Sequence, residues 1–139
     1  RYKSINTAQE KETQSGETKE LQIRYNEAVN ILETSTNEKQ LKEAMTKFKS
    51  LQSTSFAENA KEKIKETEEK IVQGLREEAA KYLLLSQKQN DKNAKLKNLV
   101  KSKELLKRAL SEYPENSQVE KIKRNLQKVE SEIDKLGGN

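Results

Sequence analysis

From Leu21 to Leu136 the apolar residues return every three or four positions, and that period commits the chain to amphipathic helices. Leu21, Tyr25, Ala28 and Leu32 begin it, with Val29 and Ile31 widening the stripe. Thr34-Ser35-Thr36-Asn37 supplies a break and a new N-cap, after which Leu41, Met45, Phe48 and Leu51 mark a second helix. Beyond Ser53-Thr54-Ser55 a long third helix is predicted from Phe56 to Gln87. Its stripe of Ala57, Ala60, Ile64, Thr67, Ile71, Leu75, Ala79, Tyr82 and Leu85 never loses phase, so Gly74 is an interior glycine and not a terminator. The Gln89-Asn90-Asp91 cluster ends it. A fourth helix is expected from about Lys95 to Glu112, carrying Leu96, Leu99, Leu106, Leu110 and Tyr113.

The single proline, Pro114, cannot continue a helix and disfavours the α conformation in the residue before it. Tyr113 should therefore close the fourth helix, with Glu115-Asn116-Ser117 capping a fifth that bears Val119, Ile122, Leu126, Val129, Ile133 and Leu136 before Gly137-Gly138. Residues 1–20 hold only Tyr2, Ile5 and Ala8 as apolar members and keep no period. They read as a flexible lead-in, leaving 21–139 as the helical domain.

Composition then limits how the helices can assemble. Apolar residues make up 31% of the chain, against roughly 45–50% in an ordinary globular domain, so a thick core with two covered faces is out of reach. An all-α fold of elongated antiparallel hairpins around the long central helix meets the limit. A spectrin-like open bundle built on that helix is the alternative.

One segment has a more specific pattern. Ser102, Leu106, Ala109 and Pro114 have the spacing of the second helix of a tetratricopeptide repeat, and Ala79 with Tyr82 resembles the small-residue and aromatic pair of its first helix. Residues 79–136 thus resemble that family's helix hairpin, with an insertion near Lys88 to Leu99, since Ala79 and Ser102 lie 23 residues apart where the repeat has about 12. Ala28, Ile31, Gln40, Ala44, Lys47 and Gln52 follow the same template more loosely, without the closing proline. The resemblance implies a solenoid whose first helices line a concave protein-binding face, here Tyr25, Val29, Arg76, Ala80 and Leu83. The lysine and asparagine pattern with which some members clamp a terminal carboxylate is missing.

Histidine and cysteine are both absent, which removes the commonest general base, the soft metal ligands and the usual nucleophilic triads. No glycine-rich phosphate loop occurs either. Glu62, Glu66, Glu68 and Glu69 alternate with lysines as on a solvated helix face. No catalytic residue, metal or cofactor is expected, and the function predicted is a scaffold that binds another protein. Its expected anchors are Tyr25, Val29, Leu32, Arg76, Leu83 and Leu84. The last two belong to Leu83-Leu84-Leu85, the densest apolar point of the chain, whose plainer reading is burial against neighbouring helices.

The net charge of +5 is local: residues 88–108 hold eight basic and two acidic side chains, while the flanking stretches balance. Lys88, Lys92, Lys95, Lys97 and Lys101, followed by Lys103, Lys107 and Arg108, define the alternative function, an electrostatic adaptor for anionic lipid or nucleic acid. Lipid or an acidic protein fits better than nucleic acid, because the segment has one arginine and no stacking aromatic. Its first part, Lys88 to Lys95, is expected to be mobile. Residues 119–136 also have a coiled-coil repeat open to self-association. Because the chain starts at Arg1 with no signal-like apolar segment in its first residues, a fragment or processed form is expected. A bacterial periplasmic or envelope module whose anchor or signal is removed upstream is the preferred location, a cytoplasmic adaptor the alternative.

Overall fold

The computed structural model describes the backbone of residues 2–137 and the side chains of residues 16–137. Five α-helices make up the described chain: α1 Tyr2–Thr34, α2 Glu38–Lys49, α3 Ala57–Lys88, α4 Lys92–Glu112 and α5 Val119–Lys135. No strand occurs among the described residues. The fold is therefore all-α and built from helical hairpins, as the period predicts. Two compact units divide the chain, one up to Thr67 and one from Glu68, and α3 contributes residues to both.

In the first unit α1 and α2 form a hairpin. Asn37 is the N-cap expected, its side-chain oxygen accepting from the Gln40 amide at 2.8 Å. The α2 stripe of Leu41, Met45 and Phe48 is buried, as are Leu51 and the facing Ala28 and Leu32. Ala28 and Ala44 are wholly covered, and their small side chains let the two backbones approach. Around this core Tyr25 packs its ring edge-on to Phe48 at 5.9 Å between centroids and against Phe56 at 5.8 Å.

In the second unit α4 and α5 pair as a hairpin, and the latter part of α3 lies against them. Ile71, Val72, Leu75 and Ala79 of α3 are buried together with Leu99, Leu106 and Ala109 of α4 and Ile122, Val129 and Ile133 of α5. Ser102 is 1% exposed, and its hydroxyl donates to the Ala79 carbonyl at 2.8 Å. A serine is tolerated at this core position because its polar atom is satisfied on the facing helix. The α5 stripe faces this core, so Ile122, Val129 and Ile133 are covered by the chain itself. Gly137, at φ +72°, follows the end of α5 in the left-handed conformation that glycine adopts without strain.

Four boundaries differ from expectation. Helix α1 starts at Tyr2 instead of near Leu21, so its polar first part is helical in backbone. That segment has good helix formers, no proline and one glycine, and it extends a helix nucleated by the apolar stripe beyond it. With only Tyr2, Ile5 and Ala8 as apolar residues, its sequence has no period from which the helix could be read. The insertion expected near Lys88 to Leu99 is no loop: its residues lengthen α3 and α4, and only Gln89-Asn90-Asp91 joins them. Asp91 starts α4 earlier than expected because its carboxylate accepts from the Ala94 amide at 2.9 Å.

The fourth difference lies at the proline corner. Tyr113 closes α4, as predicted, its amide donating to the Ala109 carbonyl at 3.0 Å. The N-cap of α5 is Gln118 and no side chain caps it in the usual way. Asn116 instead shapes the turn, accepting from the Gln118 amide at 2.8 Å, and the remaining donors of the corner go to a carboxylate on α3.

Candidate protein-binding cleft

That carboxylate is Glu69. Its Oε1 accepts from the Ser117 hydroxyl at 2.7 Å, the Asn116 amide side chain at 3.0 Å and the Ser117 backbone at 3.3 Å. Its Oε2 accepts from Gln118 Nε2 at 3.0 Å. Partial burial disfavours the charged form, but the hydrogen bonds from Ser117, Gln118 and Asn116 outweigh it and hold the carboxyl below its ordinary range. Glu69 is thus a clasp on the corner, unlike the solvated carboxylate expected from its sequence neighbourhood.

Gln118 passes the link along. While its amide nitrogen donates to Glu69, its oxygen accepts from Arg76 at 2.8 Å. Arg76 also donates from Nε and Nη2 to Asn125 Oδ1 at 3.4 and 3.3 Å. Both acceptors are neutral, so the guanidinium is oriented without its charge being cancelled.

The oriented Arg76 stands at one edge of a cleft of about 150 Å³. Arg76, Ala79, Ala80 and Leu83 of α3 form one wall, Asn125, Lys128 and Val129 of α5 the other, and Ser102 and Leu106 of α4 the floor. The surface is apolar below and basic at the rim, and no carboxylate lines it. Such a space can seat one apolar side chain beside an anion.

Of the expected anchors, Arg76 and Leu83 line this cleft, and Ala80 of the family-implied face joins them. Leu84 lies one turn beyond Ala80 and is 56% exposed. Tyr25, Val29 and Leu32 belong to the other unit. There Leu32 is 5% exposed and presents little surface, and Tyr25 is half-buried among aromatic rings. Lys128 and Asn125 have no place in the sequence-based expectation, and Leu106 enters it only as a core and repeat position. A usable signal exists in α5, where Gln118, Asn125 and Lys128 recur at helical spacing beside the apolar stripe.

The lysines of the basic segment do not form one patch. Lys88 ends α3 and the others lie on α4, where Lys92 and Lys103 flank one side of the buried stripe and Lys97 and Lys101 the other. Lys95 is half-buried. The Lys101 ammonium lies 5.3 Å from the centre of the Tyr82 ring. Arg108 pairs with Glu112 at 3.5 Å.

In the first unit a broader depression of about 570 Å³ is lined by Glu17, Glu20, Arg24 and the Ser53-Thr54-Ser55 turn, among others. Arg24 and Glu20 pair there at 2.7 Å, on an open surface of mixed character that Leu21 also lines. Among the described residues no three metal-ligating side chains converge, and no helix is long and apolar enough to cross a membrane.

Fold and cleft together define an all-α protein of helical hairpins. No family model matches the chain, and no curated protein or solved structure matches it either.

Proposed function

We propose that this protein is a non-enzymatic scaffold that binds another protein through the cleft between α3 and α5, and that its second unit is a divergent tetratricopeptide-like hairpin. The observation that carries the reading is the cleft itself: an apolar lining of Ala79, Leu83, Leu106 and Val129 beneath a rim of hydrogen-bonding side chains. An exposed leucine, Leu84, continues the apolar wall outward. The hydrogen-bonded clasp from Glu69 through Gln118 to Arg76 supports it further, because it fixes the rim before any partner arrives. The basic segment is the weaker candidate, since its cations are distributed over two sides of α4 and one of them is engaged by Tyr82.

Selection of a displayed random-peptide library against the folded chain tests the reading. Recovered peptides should share a short motif, and their binding should be lost with Leu84→Glu, a substitution at an exposed site that leaves the helical signal unchanged. Failure of any motif to converge, or binding indifferent to Leu84→Glu, would remove the cleft from consideration.

A further inference from the structure

We infer that the occupant of this cleft is an amphipathic helical segment of a partner protein, with an apolar side chain seated over Leu83 and Leu106 and an acidic edge turned toward α5. The inference rests on the scaffold reading above and specifies its ligand.

The two lips of the cleft differ in chemistry. On α3, Ala80 lines the cleft and Leu84 follows one turn later, so beyond Arg76 that lip is apolar. On α5, Lys128 lines the cleft, and Arg124 and Lys121 precede it by four and seven residues on the same exposed face. Neighbouring α5 lysines have carboxylate partners within the helix, Lys123 with Glu120 at 3.6 Å and Lys135 with Glu132 at 3.3 Å. Lys121, Arg124 and Lys128 make no ion pair among the described residues. Arg76 adds a fourth positive charge at the rim, held by neutral oxygens.

A ligand that complements both lips must carry apolar groups along one side and carboxylates along the next. A helix with leucines one turn apart and glutamates offset from them supplies both rows at the right pitch. The volume agrees with a single inserted side chain: about 150 Å³ is enough for a benzene-sized group, and the remaining contacts must lie on the lips. Lys121, Arg124 and Lys128 leave this side of α5 with an excess of positive charge, its one carboxylate, Glu132, being paired to Lys135, and that excess would also speed encounter with an acidic helix and disfavour a basic one.

Two synthetic peptides, acetylated and amidated so that neither end carries charge, test this by fluorescence anisotropy. Both place leucines one turn apart; one flanks them with glutamates, the other with lysines. The glutamate peptide should bind and the lysine peptide should not. Raising the salt from low to physiological strength should weaken the complex, and Lys128→Glu should weaken it about tenfold. The same Lys128→Glu protein should gain binding to the lysine peptide, a rescue that no unfolding defect imitates.

Equal binding of both peptides, lost with Leu84→Glu, overturns the acidic assignment and leaves the cleft as a binding site. Binding that emerges only when the glutamate peptide ends in a free carboxylate also overturns it, because a terminal anion is then the group recognised. Binding of neither peptide overturns it as well, and the scaffold reading then depends on the library selection alone.

Discussion

The Glu69 carboxylate accepts a 2.7 Å hydrogen bond from the Ser117 hydroxyl, joining α3 to the far side of the chain's single proline corner. Three further donors from Asn116, Ser117 and Gln118 converge on the same group. Glu69→Gln puts an amide nitrogen where one of those donors now points. We expect it to cost about 1 kcal/mol, the low end for a charged acceptor because the site is partly open to water. The fold holds this carboxyl below its ordinary value of 4.5. Its contribution is therefore complete above that pH and is lost as pH falls through the lower folded value. Urea midpoints of wild type and Glu69→Gln should differ at pH 7 and converge in acid; a gap that widens in acid would contradict the clasp.

The clasp also marks where the sequence stops being legible. Many core positions follow from local period: Leu41, Met45 and Phe48, then Ile71, Leu75 and Ala79, then Ile122, Val129 and Ile133 are buried as their spacing requires, whereas Val72, wholly buried, lies outside the stripe and Ile64 and Leu126 within it are only half-buried. The corner at Pro114 is equally local, because one residue sets it. Glu69 is different. Its immediate neighbours are charged, and nothing within a helical turn reveals partners nearly fifty residues away. The cleft was hidden for the same reason: its walls come from α3 and α5, and only their juxtaposition brings Lys128 near Arg76. Leu83-Leu84-Leu85 falls between these cases, since helical geometry requires three successive leucines to point different ways but not which one faces water.

Gly74 lies within α3 on an exposed face, and a methyl group added there would meet no atom within 4 Å. Gly74→Ala should therefore stabilise the protein by roughly 0.5–1 kcal/mol, through lower backbone entropy in the unfolded chain. Thermal melts by circular dichroism read this directly. A lowered midpoint would indicate that α3 uses the glycine to bend.

Ser102 carries two demands at once, a small volume and a hydroxyl. Ser102→Ala keeps the volume and loses the 2.8 Å bond to the Ala79 carbonyl, for an expected cost of about 1 kcal/mol. Ser102→Leu forces larger atoms between α3 and α4 and should cost about 1–3 kcal/mol. It should also fill part of the cleft floor, so peptide binding should fall further than stability does. Should Ser102→Leu be the milder of the two in urea, the close approach of these helices would be misplaced.

The short link between α3 and α4 gives the most direct contrast with what its lysines lead one to expect. Charge repulsion among Lys88, Lys92 and Lys95 argues for early hydrogen exchange across the segment. The Asp91 cap argues otherwise from Ala94 onward, because the Ala94 amide donates to the Asp91 carboxylate at 2.9 Å and the Lys95 amide to the Asp91 carbonyl at 3.0 Å. The carboxylate also places a negative charge at the positive end of α4, beside the lysines that follow it. Exchange should therefore be fast only at Asn90 through Asn93 and slow abruptly at Ala94. Asp91→Ala should move that boundary about one turn into α4, at a cost of about 1 kcal/mol for the lost cap. Leu99 and Leu106 should remain protected, since they are buried against the rest of the second unit. Fast exchange at Ala94 and Lys95 in the wild type would mean that repulsion overcomes the cap, and the segment would again behave as the mobile basic insertion that its composition describes.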